Sequence, residues 1–174
     1  MNHVVQACVL KQTQAYTAIH EFDAKLLINY WLPRAPDASP NAVASSSFIA
    51  PTSRVAQISW DAETNTITPD NCLPGWVHNT KLVAKPDQLI KRRGKAGLLK
   101  LNASWDEARA WIVERAGKPQ RVEAISGILS NFLVEPFCPH APDAEYYVCI
   151  NSAREGDYVL FTHEGGVEVG DVDA

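Results

Sequence analysis

The chain has 174 residues, 46% of them hydrophobic and 21% charged, a composition that belongs to a folded domain and excludes disorder along the whole length. Sixteen Lys and Arg against twenty Asp and Glu leave a formal net charge of −4. No global field therefore recruits nucleic acid or an anionic membrane, and any anion site must be local.

Residues 1–18 lack the basic start, apolar run and cleavage site of a secretory signal and read as a disordered amino-terminal extension ahead of a domain over 19–174. No apolar stretch approaches the ~20 residues that a membrane-spanning helix needs. The four cysteines, Cys8, Cys72, Cys138 and Cys149, include no CxxC pair, which suits a reducing, cytosolic compartment. Cys149 in the alternating run YYVCI and Cys138 beside Phe137 read as buried or half-buried thiols.

Ile19, Phe22, Leu26, Leu27, Tyr30 and Trp31 recur at three- and four-residue spacing and predict a helix over 19–32, stopped by Pro33. Residues 33–53 are rich in Pro, Ser, Ala and Asn and open a loop-rich insert that runs to about residue 75. Within it Val55, Ile58 and Trp60 and the turn signal Pro74-Gly75 suggest short ordered pieces. Lys81–Pro86 is a strand ended by a proline that removes a ladder donor. Leu98–Leu101 is a further apolar run, and Ser104-Trp105-Asp106-Glu107 is a capping box opening a helix that ends near Gly117 and Pro119. Trp105, Ala108, Trp111 and Ile112 form its buried face. Val122–Leu129 fits helix or strand, and Asn131–Phe137 is strand-like up to Pro136. A hairpin follows, Glu145–Asn151 and Asp157–Thr162, joined by 152–156 with Gly156 at the position that needs positive φ. Residues 163–174 carry no terminal cap, so the sequence reads as stopping within an element. The mixture is α+β or α/β without an internal repeat.

Between Lys85 and Gly97, five cations and two glycines sit in an otherwise acidic chain. Glycine lets backbone amides approach an oxyanion while Lys and Arg supply charge and forked donors, a combination that suits a polyphosphate. The GxxxxGK[ST] spacing of a Walker A loop is absent. The alternative is a solvated basic loop, or a patch for RNA or a protein partner. In Val134–His140 two prolines bracket Cys138, so the carbonyl of Pro136 and the amide of Cys138 are placed to offer the acceptor and donor that an adenine edge requires. The alternative there is an edge strand running into a turn. Glu145 could accept both hydroxyls of a ribose, or simply be solvated. His20, His78, His140 and His163 have no metal-ligand spacing, and no GxSxG elbow supports a serine nucleophile. His163-Glu164-Gly165-Gly166 suggests either close backbone approach or a tight turn.

Lys85–Lys95 (KPDQLIKRRGK), Phe132–His140 and Arg154–Ala174 resemble, nearly verbatim, the amino-terminal ATP-grasp portion of the ATP-citrate lyase family. The resemblance runs from about Ile19 to Ala174, weakest over 33–75, and is closest to the fungal form, with ERAGKPQ at 114–120. The β subunit of succinate–CoA ligases shares the opening helix at 20–27 and the Glu164-Gly165-Gly166 turn but not KPDQLIKRRGK. The resemblance implies an ATP-grasp fold, incomplete in this chain, in which two α+β subdomains hold ATP. It assigns Lys85 to the phosphates and adenine side, Arg93 and Gly94 to a mobile phosphate-covering loop, the backbone of Pro136 and Cys138 to adenine and Glu145 to ribose. Cys138 stands where the family commonly has valine, which a backbone contact tolerates.

In the family, ATP phosphorylates a histidine, citryl phosphate and citryl-CoA follow, and cleavage gives acetyl-CoA and oxaloacetate for lipid synthesis. His163 does not match that histidine. The Mg2+ ligands and the citrate and CoA sites are expected beyond Ala174, so the chain alone should not turn over. Partners implied are ATP, citrate, CoA and the remainder of an oligomeric enzyme or a second subunit. The competing readings are a succinate–CoA ligase β-like subunit and a non-catalytic anion-binding module.

Overall fold

Strand and helix propensities resolve into two units in the computed structural model, which describes residues 9–12, 15–31, 54–90, 93–122, 125–154, 156–163 and 165. One unit spans His20–Phe137; the other combines the segments Met1–Ile19 and Cys138–Ala174.

The first unit opens with helix α1 (Glu21–Trp31) and is built on a five-stranded sheet. Strands β3 (Ala56–Asp61), β4 (Thr66–Ile67), β5 (Leu82–Pro86), β6 (Lys100–Ala103) and β9 (Asn131–Pro136) run in the order β4-β3-β9-β5-β6, every pair antiparallel. The central strand is therefore β9, whose Phe132, Leu133 and Val134 are fully buried. The period-2 alternation of β5 explains its place beside it: Leu82, Ala84 and Pro86 are buried and Val83 and Lys85 are half-buried. Ala84 lies opposite Val134 and Pro86 opposite Phe132, so these residues share one face, with Lys85, Leu133 and Glu135 on the other.

Helix α3 (Trp105–Arg115) covers the first face, burying Trp105, Ala108 and Ile112. Its capping box forms as the sequence predicts: the Ser104 hydroxyl accepts from the Glu107 amide, and the Ser104 amide donates to the Glu107 carboxylate at 2.7 Å. Gly117, at φ +72°, turns the chain out of α3, and a Cβ there would lie 2.4 Å from the Trp60 ring, so both conformation and space demand glycine. Short helix α2 (Trp76–Asn79) adds Val77 to a core whose fully buried side chains include Phe132, Ile58, Leu82, Ile112 and Leu129, each stabilising by roughly 1.5–3 kcal/mol. The stretch Val122–Leu129, which fits helix or strand by sequence, supplies β8 (Ile125–Ile128), paired in a hairpin with β7 (Pro119–Val122) just before it.

The second unit holds two hairpins: β1 (Val9–Gln12) with β2 (Ala15–Ala18), and β10 (Tyr147–Ala153) with β11 (Gly156–Thr162). Gly156, at φ +146°, sits at the turn, and the register closes Ala153 against Gly156, three residues tighter than the 152–156 loop that the sequence suggests.

One expectation, the burial of Cys138, is corrected. Residues 9–12 and 15–18 of the amino-terminal extension pair as strands, and β3 and β4 are ordered pieces of the loop-rich insert, the first containing Ile58 and Trp60. The helix predicted over 19–32 forms as α1, on which Leu26, Leu27, Tyr30 and Trp31 are 45–61% exposed. Cys138 is exposed, because its place between two prolines takes it out of the strand alternation. Cys149 is half-buried and Cys8 lies outside the described residues.

Candidate phosphate site on the β5 face

Strand β5 ends at Pro86, and just beyond it the Asp87 amide still donates to the Asn131 carbonyl of β9 at 2.8 Å while the Asp87 side chain reaches α1. The buried Asp87 carboxylate, 1% exposed, accepts the Glu21 amide at 2.9 Å and the Phe22 amide at 3.4 Å, capping the helix. His20 Nδ1 lies 2.6 Å from the Asp87 carbonyl. Both contacts pin the first turn of α1 against the end of β5. Glu21 is thereby delivered to the strand face that carries Lys85 and Glu135.

Five charged side chains meet there. Glu21 Oε1 accepts Lys85 at 2.6 Å and Lys25 at 2.9 Å, and Glu21 Oε2 accepts Arg93 Nη2 at 2.6 Å. Lys85 also reaches Glu135 Oε1 at 2.8 Å, diagonally across the β5–β9 pair, and Lys25 pairs with Glu135 as well. Arg93 Nη1 donates to the Pro86 carbonyl at 2.7 Å. These side chains are only 13–24% exposed, so water screens the pairs weakly. Burial raises the Glu21 pKa, but attraction to Lys85, Lys25 and Arg93 outweighs it and holds the carboxyl at about 2. Burial lowers Lys25, and Glu21 and Glu135 more than reverse that, leaving it raised. Asp87, by contrast, is pushed up, chiefly by burial. Within these five side chains, three cations face two carboxylates, a formal charge of +1.

Of the residues nominated from sequence, Lys85 and Arg93 are thus brought together, on Glu21. Gly94 lies in the turn that follows, its carbonyl accepting the Gly97 amide at 3.1 Å, with Gly97 at φ +67°. Lys91 and Arg92 of the basic stretch fall outside the described residues. Pro136 ends β9 next to Glu135. Its strand is central rather than at an edge, but β3 pairs only as far as Val134, and the last residues are held from the β5 side, where the Phe137 amide donates to the Lys81 carbonyl at 2.7 Å. Cys138 and Glu145 belong to the second unit. There Glu145 Oε1 lies 3.0 Å from His140 Nε2, and the Glu145 carbonyl accepts the Gly165 amide at 3.0 Å. A Cβ at Gly165 would come within 2.7 Å of the Glu145 backbone, so the close approach foreseen at the glycine pair is to this segment.

Glu21, Lys25 and Glu135 escaped the sequence reading. The signals were present: an i, i+4 Glu–Lys pair opening α1, and a lone acid two residues from Leu133 in an apolar strand. A cavity of about 290 Å3 elsewhere, lined by Trp60, Ile67, Arg109 and Lys118 among others, includes none of these residues.

A family model described as the ATP-citrate synthase ATP-grasp domain matches residues 15–174. The chain belongs to the ATP-citrate synthase ATP-grasp family. It is 51% identical over 172 residues to the probable ATP-citrate synthase subunit 2 of Schizosaccharomyces pombe, covering 90% of this chain and 35% of that protein. It is 57% identical over 99 residues to the ATP-citrate synthase of Bos taurus, covering 57% of this chain and 9% of that one. Among solved structures it resembles ATP citrate lyase from Methanothrix soehngenii in complex with citrate and coenzyme A, with TM-score 0.64 and 37% identity over 85% of this chain and 32% of the other. The chain thus spans about a third or less of the length of these relatives. Its α+β architecture is that of the ATP-grasp fold. The succinate–CoA ligase reading draws no support from these likenesses.

Proposed function

We propose that this chain is the nucleotide-binding part of an ATP-dependent citrate-cleaving enzyme, which with CoA converts citrate to acetyl-CoA and oxaloacetate for lipid synthesis in the cytosol. The observation that carries the reading is the convergence of Lys85 and Arg93 in one cationic cluster, in a chain matched by the ATP-citrate synthase ATP-grasp family from residue 15 to 174. On this reading Lys85 and Arg93 bind the phosphates and Gly94 gives the covering turn its close approach. The backbone of Pro136 and Cys138 reads adenine, and Glu145, oriented by His140, binds ribose. These residues bind and orient; phosphoryl transfer itself depends on charge neutralisation by a metal. Among the described residues no group of three or more His, Cys, Asp or Glu could hold a metal ion. On this reading Mg2+ would supply that neutralisation, its protein ligands and the citrate and CoA sites being expected beyond Ala174 or in a second subunit.

Titration of the chain with Mg·ATP and with a single-stranded oligonucleotide separates this reading from an RNA- or partner-binding module. We expect saturable Mg·ATP binding that Arg93→Ala weakens at least tenfold, because a charge-assisted contact of ~1.5–3 kcal/mol is removed. An unchanged affinity in Arg93→Ala, or preference for the oligonucleotide, would overturn it.

A further inference from the structure

Resting on that assignment of Lys85 and Arg93, we infer that Glu21 is a positioning residue, whose two carboxylate oxygens hold the Lys85 ammonium and the Arg93 guanidinium side by side for the nucleotide phosphates. The geometry divides the carboxylate cleanly: Oε1 takes Lys85 at 2.6 Å and Oε2 takes Arg93 at 2.6 Å. A neutral amide could not serve both, since it offers an acceptor on one side only. Glu21 is itself fixed from two directions. Its amide is capped by the buried Asp87, and Lys25, one turn along α1, ties it to Glu135 on β9.

Lysine and arginine side chains are among the most mobile, and a phosphate binding to free ones must order them. In this network the ordering is completed on folding. Among the described residues Lys85 directs two protons at Glu21 and Glu135 and has a third, while the Arg93 fork meets Glu21 and the Pro86 carbonyl through two of its five donors. The two carboxylates also lower the cluster's charge, so they weaken long-range attraction. What Glu21 contributes is geometry rather than field, and the two have opposite signatures.

The test is calorimetric titration of the 174-residue chain, as wild type, Glu21→Gln and Arg93→Lys, with Mg·ATP and adenosine at 50 and 200 mM salt. Glu21→Gln should weaken Mg·ATP at least tenfold and adenosine less than twofold. The salt dependence of Mg·ATP binding should steepen, because the cluster gains one net positive charge. Arg93→Lys keeps the charge but lacks the fork that spans Glu21 and the Pro86 carbonyl, and should weaken Mg·ATP at least fivefold. If Glu21→Gln lowers both affinities by one factor, it has only reduced the competent fraction, and positioning is refuted. Unchanged or tighter Mg·ATP binding in either variant refutes it too, the tighter case making Glu21 a competitor of the phosphates. A wild-type chain that ignores Mg·ATP would overturn the functional assignment as well.

Discussion

Glu21 and Asp87 touch one another through a helix cap, yet their carboxyls are driven in opposite directions. Glu21 is surrounded by cations and held at about 2, from an ordinary value of 4.5; Asp87 is buried and pushed up. A carboxyl whose folded pKa lies below its unfolded one contributes stability that is complete above the unfolded value and vanishes as pH falls to the folded one. For Glu21 that window runs from about pH 4.5 down to about pH 2, and the loss amounts to up to about 3 kcal/mol for this 23%-exposed side chain. Asp87 works in the other sense, favouring the fold at low pH and losing that contribution as pH rises through its folded value. Urea unfolding followed by circular dichroism between pH 6 and pH 2 should therefore show the wild type losing on the order of 2–3 kcal/mol more than Glu21→Gln. Parallel pH profiles would mean that the cations do not stabilise the Glu21 carboxylate.

At the scale of elements, the end of α3 shows local chemistry and tertiary packing agreeing. Gly117 leaves the helix at φ +72° and its missing Cβ is where the Trp60 ring sits. Gly117→Ala combines a left-handed penalty of ~1–2 kcal/mol with overpacking of ~1–3 kcal/mol, so chemical denaturation should show a loss of about 2–4 kcal/mol. A change below about 0.5 kcal/mol would contradict the packing described. This region was legible because its signals are local: Ser104 and Glu107 cap at a fixed spacing, and Gly117 and Pro119 stop at another. The strand β5 was legible for the same reason, ending at Pro86. Strands β3, β4, β7 and β8 were not, because Ala56–Asp61 and Ile125–Ile128 are strands by virtue of the partners they find across the sheet or hairpin. The exposed apolar side chains of α1, and Tyr146, Val148, Ile150, Val159 and Phe161 on one face of the β10–β11 hairpin, show the converse: periodicity gives the face but not what lies against it.

For the whole molecule, the sequence carried the family through KPDQLIKRRGK, and through it the nomination of Lys85 and Arg93. It could not show that both cations converge on one carboxylate 64 and 72 residues earlier, since that contact exists only once Asp87 docks α1 on the strand. The site is therefore a property of the assembled unit, built by a helix cap, a diagonal strand pair and a turn. The most direct measurement is heteronuclear NMR of the Lys85 ammonium and Arg93 guanidinium signals while Mg·ATP is added to the 174-residue chain. The account predicts that these signals shift together and saturate with the nucleotide, while those of Arg109 and Lys118 beside the remote cavity stay in place. Saturable nucleotide binding that leaves Lys85 and Arg93 unmoved would contradict it.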